Sequence, residues 1–343
     1  MKMRPLQPIG IWRQTPGVRT TLVSLALVFP AIAAAQSSGG TRDFTVPQWA
    51  YPTAPVLPAD TIYDHVTPHR IPGSSRTYTL TQAKNAFDVV DWFPASHPRA
   101  PRQVQHGGAP AWRACGFCHL PDGQGRPENA VIAGLPADYI VSQVTAFRKG
   151  TRLTANPLAN TNSMHQIASA APDSDVAVAA RYFSKLRLTR RNRIVETTDA
   201  PKTRIASILY VKDGDGTEPI AGRLIEVPED TERHELHDPT VQYVTYVPPG
   251  SLTRGKHIAT TGPEGPTTVC ASCHGPKLLG VGPVPPIAGR SPSYILRQLI
   301  NVRSGARHDV TSVPMVRIVE QLSIDDMVAL AAYVGSLPPS VRR

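Results

Sequence analysis

Apolar positions along this chain fall into four helix-length stretches that come as two pairs. In the last of them Ser323 reads as an N-cap with Asp326 three residues on. Met327, Leu330, Ala331 and Val334 then recur at i, i+3, i+4 and i+7 and make one apolar face. Residues 174–187 repeat this pattern with Val176, Ala180, Phe183 and Leu186. Residues 137–149 and 292–303 are also helical by pattern, closed by Gly150 and, slightly later, Gly305. Between the pairs, residues 189–250 change character. Stretches 205–212, 220–227 and 241–247 are rich in β-branched residues and separated by turn formers, which predicts a small β-hairpin or sheet. Residues 36–105 carry Pro47, Pro52, Pro55, Pro58, Pro68, Pro72, Pro94, Pro98 and Pro101, and read as an extended, loop-rich arm. The predicted class is mainly α, with a Pro-rich N-terminal arm and a small β-rich insert.

The N-terminus has a different pattern. Lys2, Arg4, Arg13 and Arg19 precede an apolar run over about 22–34 that ends in Ala33-Ala34-Ala35 before Gln36. This is the layout of a secretory signal peptide over 1–35, cleaved near Ala35/Gln36. The run falls short of the roughly 20 residues a spanning helix needs, so no integral membrane span is expected after cleavage. Removing those four basic residues lowers the formal charge from +10 to +6. A mildly basic surface suits docking to an acidic protein or an anionic membrane. It does not suggest nucleic acid, because no dense Lys/Arg stripe with interleaved aromatics is present.

The paired helices belong to a longer internal repeat. At an offset of 155, Ala133-Gly134 matches Ala288-Gly289, Tyr139-Ile140 matches Tyr294-Ile295, and Gln143 matches Gln298. Gly150 and Arg152 likewise match Gly305 and Arg307. After a four-residue deletion the offset becomes 151, and Met164, Tyr182 and Leu186 match Met315, Tyr333 and Leu337.

The same offset relates the only four cysteines. Cys115-Gly-Phe-Cys118-His119 and Cys270-Ala-Ser-Cys273-His274 are two copies of Cys-x-x-Cys-His, with no cysteine left over. This is the attachment signature of c-type haem: both thiols bond to the porphyrin and the histidine ligates iron. A zinc site built from the four cysteines is the alternative, but it leaves each following histidine unexplained. A low-spin electron-transfer haem also needs a sixth ligand, and after signal removal three methionines remain. Met164 and Met315 are equivalent by repeat, whereas Met327 falls on the apolar face of the last helix and suits core packing. His165 and His308 are alternative ligands. Tyr139, Tyr294, Arg152 and Arg307 are either partners of haem propionates or ordinary packing and solvated groups. Asp213-Gly-Asp215-Gly-Thr217-Glu218 faintly suggests a calcium loop, but Leu224 stands where a carboxylate is needed, so a tight turn is expected. His234 and His237 are expected to be solvated loop residues.

Taken together, Cys115–His119 with Gly123 and Gly125, then Leu135, Tyr139, Gln143, Phe147, Gly150, Arg152 and Met164, resemble the class I cytochrome c pattern. The second copy supplies Cys270–His274, Ala288-Gly289, Tyr294, Gln298, Gly305, Arg307 and Met315. The tandem arrangement resembles the di-haem cytochrome c4 type. The resemblance implies two class I cytochrome c helical domains in tandem, at 106–188 and 251–343. It further implies two covalently bound haem c groups, His/Met ligation at both irons (His119 with Met164, His274 with Met315), and periplasmic electron transfer. The arm and the insert depart from it. So does the region before the first motif, where Pro98, Pro101, Gly107, Gly108 and Pro110 interrupt the helix that 251–259 supplies before the second.

The expected function is a di-haem carrier of single electrons, or the electron-accepting subunit of an exported dehydrogenase. Expected partners are redox proteins, a dehydrogenase or a terminal oxidase or reductase. The competing reading is a di-haem enzyme of peroxidase type with one open iron. The repeat argues against it, because each half offers its own methionine.

Overall fold

The computed structural model describes residues 44–53, 64–156, 161–206, 208–262 and 269–339. The leader expected over 1–35 lies outside them. Two single-turn helices, α1 (Leu80–Ala83) and α2 (Arg102–Gln105), sit in the Pro-rich segment. The first helical group follows: α3 (Cys115–His119), α4 (Ala137–Arg148), α5 (Thr161–Ala170) and α6 (Asp173–Ser184). Next come strands β1 (Asn192–Glu196), β2 (Asp199–Ala206), β3 (Leu209–Pro219) and β4 (Ile225–Pro228), helix α7 (Thr231–Glu235) and strand β5 (Tyr243–Val247). The second helical group is α8 (Ser251–Thr261), α9 (Cys270–His274), α10 (Pro292–Arg303), α11 (Val313–Val319) and α12 (Ile324–Ser336).

Local chemistry sets the helix limits. At α12 the Ser323 hydroxyl accepts from the Asp326 amide at 3.1 Å and the Asp326 carboxylate accepts from the Ser323 amide at 2.9 Å. Two orphan donors are thereby satisfied. Pro292 opens α10, where its missing N–H costs nothing, and the Ser291 hydroxyl accepts from the Tyr294 amide. Both α4 and α10 are followed by a glycine at positive φ, Gly150 at 68° and Gly305 at 74°.

Each helical group closes on its own apolar cluster. The first gathers Val104 of α2, Leu135, Ile140, Ala180 and Phe183. The second is twice as populous and gathers Ile258, Leu296, Ile300, Val319, Met327 and Leu330 with their neighbours. Met327 is fully buried there, as its place on the apolar face predicts. Helix α8 crosses α12 at Gly255, where a Cβ would lie 2.0 Å from the Ala329 carbonyl oxygen and 2.8 Å from the Tyr333 Cβ. Only a residue without a side chain permits that approach. Gly255→Val is expected to destabilise the protein by about 3 kcal/mol, read as a lowered midpoint in denaturant unfolding.

The strands between the groups differ in detail from the sequence reading. β2 and β3 form an antiparallel hairpin, but its bend falls between Ala206 and Leu209, inside the stretch expected as one strand. The Asp213–Glu218 stretch is no turn. Pairing jumps from Thr203↔Lys212 to Pro201↔Thr217, and Gly214 takes φ 70°. The Asp-Gly residues therefore bulge out of β3 instead of ending it. β4 pairs antiparallel with β5, and β1, which has no apolar alternation to announce it, pairs parallel with β5. The Pro-rich segment is loop-rich, yet it encloses a core of its own. Trp92, 2% exposed, packs with Ile71, Leu80 and Val90 against Leu236, and its indole N–H donates to the Leu236 carbonyl at 2.8 Å.

Candidate functional site

The two Cys-x-x-Cys-His segments form matching one-turn helices, α3 and α9, and the loops that follow them share a backbone. Positive φ recurs at Leu120 and Gly275, at Gly123 and Leu278, and at Gly125 and Gly280. The amides of Gly125 and Gly280 donate to the carbonyls of His119 and His274, at 2.9 and 2.8 Å. Those of Ala133 and Ala288 donate to the carbonyls of Gly123 and Leu278. Further on, the amides of Gly134 and Gly289 reach the carbonyls of Phe183 in α6 and Val334 in α12.

These loops fix the histidine rings. His119 Nδ1 donates to the Ala130 carbonyl at 2.7 Å and His274 Nδ1 donates to the Pro285 carbonyl at 2.9 Å, eleven residues downstream in both cases. A carbonyl can only accept, so Nδ1 carries the proton and Nε2 keeps a free lone pair, the state a metal ligand requires. Burial lowers the pKa of both rings and keeps them neutral. Burial likewise pushes the Cys115 thiol up to about 12 and raises Cys118 and Cys270. Among the described residues no group of three His, Cys, Asp or Glu side chains could hold a metal ion, so the four-cysteine zinc alternative has no geometry behind it.

The two halves meet through the residues that the repeat pairs. Arg152 and Arg307 face each other as an isolated antiparallel bridge, with the Leu153 amide donating to Ala306 and the His308 amide to Thr151, both at 2.9 Å. Arg152 donates to Gln143 of its own half at 2.6 Å and across to the Tyr294 hydroxyl at 2.8 Å. Arg307 donates to Gln298 of its own half at 3.1 Å and across to Gln143 at 3.0 Å and the Tyr139 hydroxyl at 3.2 Å. Asp309 is the carboxylate of this group, accepting from Arg307 Nε at 3.2 Å. Although burial opposes ionisation of Tyr139, Arg307 and Arg152 hold its pKa below the ordinary phenol value. Two guanidiniums against one carboxylate leave a buried surplus of positive charge, a fit for the anionic carboxylates at the edge of a haem.

The candidate sixth ligands sit in corresponding places. Met164 is half-buried on α5, and Met315 is half-buried on α11, packed against the second apolar cluster. The alternative histidines, His165 and His308, are exposed, where Met164 and Met315 are half-buried. His165 Nδ1 donates to the Phe147 carbonyl at 2.8 Å and His308 Nδ1 to the Gly305 carbonyl at 3.0 Å.

One cluster escaped the sequence reading. His234 and His237 are buried, 3% and 2% exposed, not solvated. His237 meets Phe117 of the first motif edge-on, with ring centroids 5.3 Å apart. His234 lies 3.4 Å from Glu128, which also pairs with Arg126 at 3.1 Å. The polar surroundings of these histidines in the sequence hid them, because Phe117 and Glu128, which cover them from the first motif and its loop, lie more than a hundred residues away.

No family model matches the chain. It is 28% identical over 238 residues to a thiosulfate dehydrogenase electron acceptor from Stutzerimonas stutzeri (strain A1501), covering 68% of this chain and 83% of that protein. With cytochrome c4 from Azotobacter vinelandii the identity is 24% over 229 residues, 65% of this chain and 84% of the relative. Over 100 residues it is 32% identical to the cytochrome subunit of sulfide dehydrogenase from Chlorobaculum tepidum, covering 25% of this chain and 88% of that subunit. The chain is a di-haem cytochrome of the c4-like family. The c4-like cytochrome carries two covalently bound haem c groups, and its described helices fall into two groups with one Cys-x-x-Cys-His helix in each. Among solved structures, thiosulfate dehydrogenase TsdBA from Marichromatium purpuratum aligns at a TM-score of 0.46 and 26% identity, covering 69% of this chain. The c4-like chain spans only 39% of that protein's length. No helix among the described residues of the cytochrome is long and apolar enough to cross a membrane.

Proposed function

We propose that this c4-like cytochrome is an exported electron carrier, active in the periplasm as the electron acceptor of a dehydrogenase that oxidises an inorganic sulfur compound. The names of two relatives, an electron acceptor of thiosulfate dehydrogenase and a cytochrome subunit of sulfide dehydrogenase, support the partner class. Residues 106–188 and 251–343 act as two copies of one unit, each enclosing one haem. Cys115 and Cys118 hold the first ring and Cys270 and Cys273 the second. His119 and Met164 would hold one iron, and His274 and Met315 the other. Each bound haem supplies an iron that accepts or returns one electron.

The observation that carries the reading is the doubled geometry. Both histidines are turned by a carbonyl eleven residues on, and both halves contribute the same Tyr, Gln and Arg to one shared contact. The Ala130 and Pro285 carbonyls hold the Nδ1 protons and leave Nε2 of His119 and His274 free to ligate an iron. Arg152 and Arg307 offset the negative charge of the haem carboxylates between the halves. Methionine as sixth ligand closes both irons, which suits electron transfer and opposes peroxide chemistry. A redox titration of the haem-loaded protein tests this. Met164→Ala and Met315→Ala are each expected to lower the potential of one haem by about 100 mV or more and to abolish half of the methionine–iron absorption band. Two unshifted haems in either variant would assign a different sixth ligand.

A further inference from the structure

The two haem-attachment ridges are alike in backbone and opposite in exposure. At the first, Gly116 is buried against the Val104 carbonyl oxygen of α2, which lies 2.7 Å from where a Cβ would stand, and Phe117 is covered by His237. The loop that follows is also roofed, with the Arg126 and Glu128 side chains only 11% and 7% exposed beneath His234. The roof is α7 and the turn after it, locked to the Pro-rich segment by the Trp92–Leu236 hydrogen bond and the Lys84–Glu235 ion pair. At the second ridge the equivalents lie open. Ser272 and Cys273, which correspond to Phe117 and Cys118, are exposed. Val281, Gly282 and Pro283, the counterparts of Arg126, Pro127 and Glu128, form an exposed apolar loop, with Val281 58% exposed.

We propose that the second ridge, Ser272–Cys273 with the 281–283 loop, is the surface at which this protein exchanges electrons with other proteins, and that the roofed first ridge is closed to them. The inference rests on the di-haem electron-carrier reading. Tunnelling falls off exponentially with distance, so a layer of protein over one attachment ridge and not the other would make the open ridge the point of contact. The partner is a one-electron redox protein that presents an apolar face around its own redox group, because Val281–Gly282–Pro283 offers carbon rather than charge. Docking is expected to be small and transient, as electron-transfer contacts are. In each encounter the partner loses one electron and is oxidised while this chain is reduced by one equivalent.

The test uses the haem-loaded full chain with a reduced mono-haem cytochrome c as donor in stopped flow. A neutral gadolinium chelate serves separately as a paramagnetic probe of exposure in proton NMR. Haem content and the axial-ligand band are measured first, so that failure of the carrier reading shows there and not in the later steps. The chelate is expected to broaden the Cys270 and Cys273 thioether resonances several-fold more than those of Cys115 and Cys118. Val281→Glu and Ser272→Glu are expected to cut the second-order rate at least tenfold with both potentials unchanged. Glu232→Lys, a charge reversal on the exposed roof, is expected to leave the rate within twofold. Equal broadening at the two ridges, or a rate that answers to the roof and not to Val281, would overturn the proposal.

Discussion

C115S/C118S is expected to remove one of the two haems and to unfold the first helical group, whereas C270S/C273S removes the other haem and leaves a larger share of its group folded. The difference follows from how much apolar core each group has without its ring. Among the described residues the first cluster contains ten buried ones, four of them Ala100, Ala133, Ala179 and Ala180, whose side chains bury little area. The second contains twenty, including Leu296, Ile300, Met327 and Leu330, and takes in Tyr51 and Val247 from outside its own helices. At about 25 cal/mol per Å² of buried apolar surface, an alanine contributes a small fraction of what a leucine does, so the first group depends more on its porphyrin. Haem-to-protein ratio should fall from two to one in both variants. Far-UV circular dichroism should report the larger helix loss in C115S/C118S. Equal loss in the two variants would mean that the core of the first group does not rely on haem.

Much of this was legible in the sequence, and what was legible had a local cause. The Cys-x-x-Cys-His spacing is a complete chemical statement within five residues, and the helix cap at Ser323 depends on a neighbour three positions away. The 155 offset also marked which residues are equivalent, but not that they meet. Tyr139, Gln143 and Arg152 were visible as a set with their counterparts, but their bonds run between halves. Repeat position says that two residues are equivalent and is silent on whether they touch. The long-range contacts were out of reach for the same reason. β1 forms because β5 is beside it, His234 and His237 are buried because the Arg126–Glu128 loop covers them, and Trp92 makes a core with Leu236 across 144 residues. The Asp-Gly run misled because its turn chemistry is real, yet pairing on both sides turned it into a bulge.

R152M/R307M is expected to separate the two helical groups into independent folding units. Arg152 and Arg307 are 7% and 9% exposed, and between them they engage both tyrosines, both glutamines and Asp309. Methionine keeps the apolar stem and removes every donor. Buried Gln143 and half-buried Gln298 would keep carbonyl oxygens without their arginine partners, and Asp309, 4% exposed, would lose its guanidinium. Breaking a buried ion pair from one side costs about 3 kcal/mol, more than a domain contact of this kind can spare. Equilibrium unfolding in guanidinium, followed at the haem band, should change from one transition to two. The backbone bridge of Leu153 with Ala306 and His308 with Thr151 remains in the variant. If the transition stays single, that bridge and the neighbouring apolar contacts couple the halves and the arginines serve the haems alone. The single variants separate these roles further. Arg152 binds Tyr294 across the contact and Arg307 binds Tyr139 and Gln143, so each alone should weaken the coupling without abolishing it. A double variant no worse than the sum of the two singles would show that the reciprocal bonds act independently. A larger loss would show that the Arg–Gln–Tyr contact works as one unit, which the shared Gln143 carbonyl oxygen, accepting from both arginines, predicts.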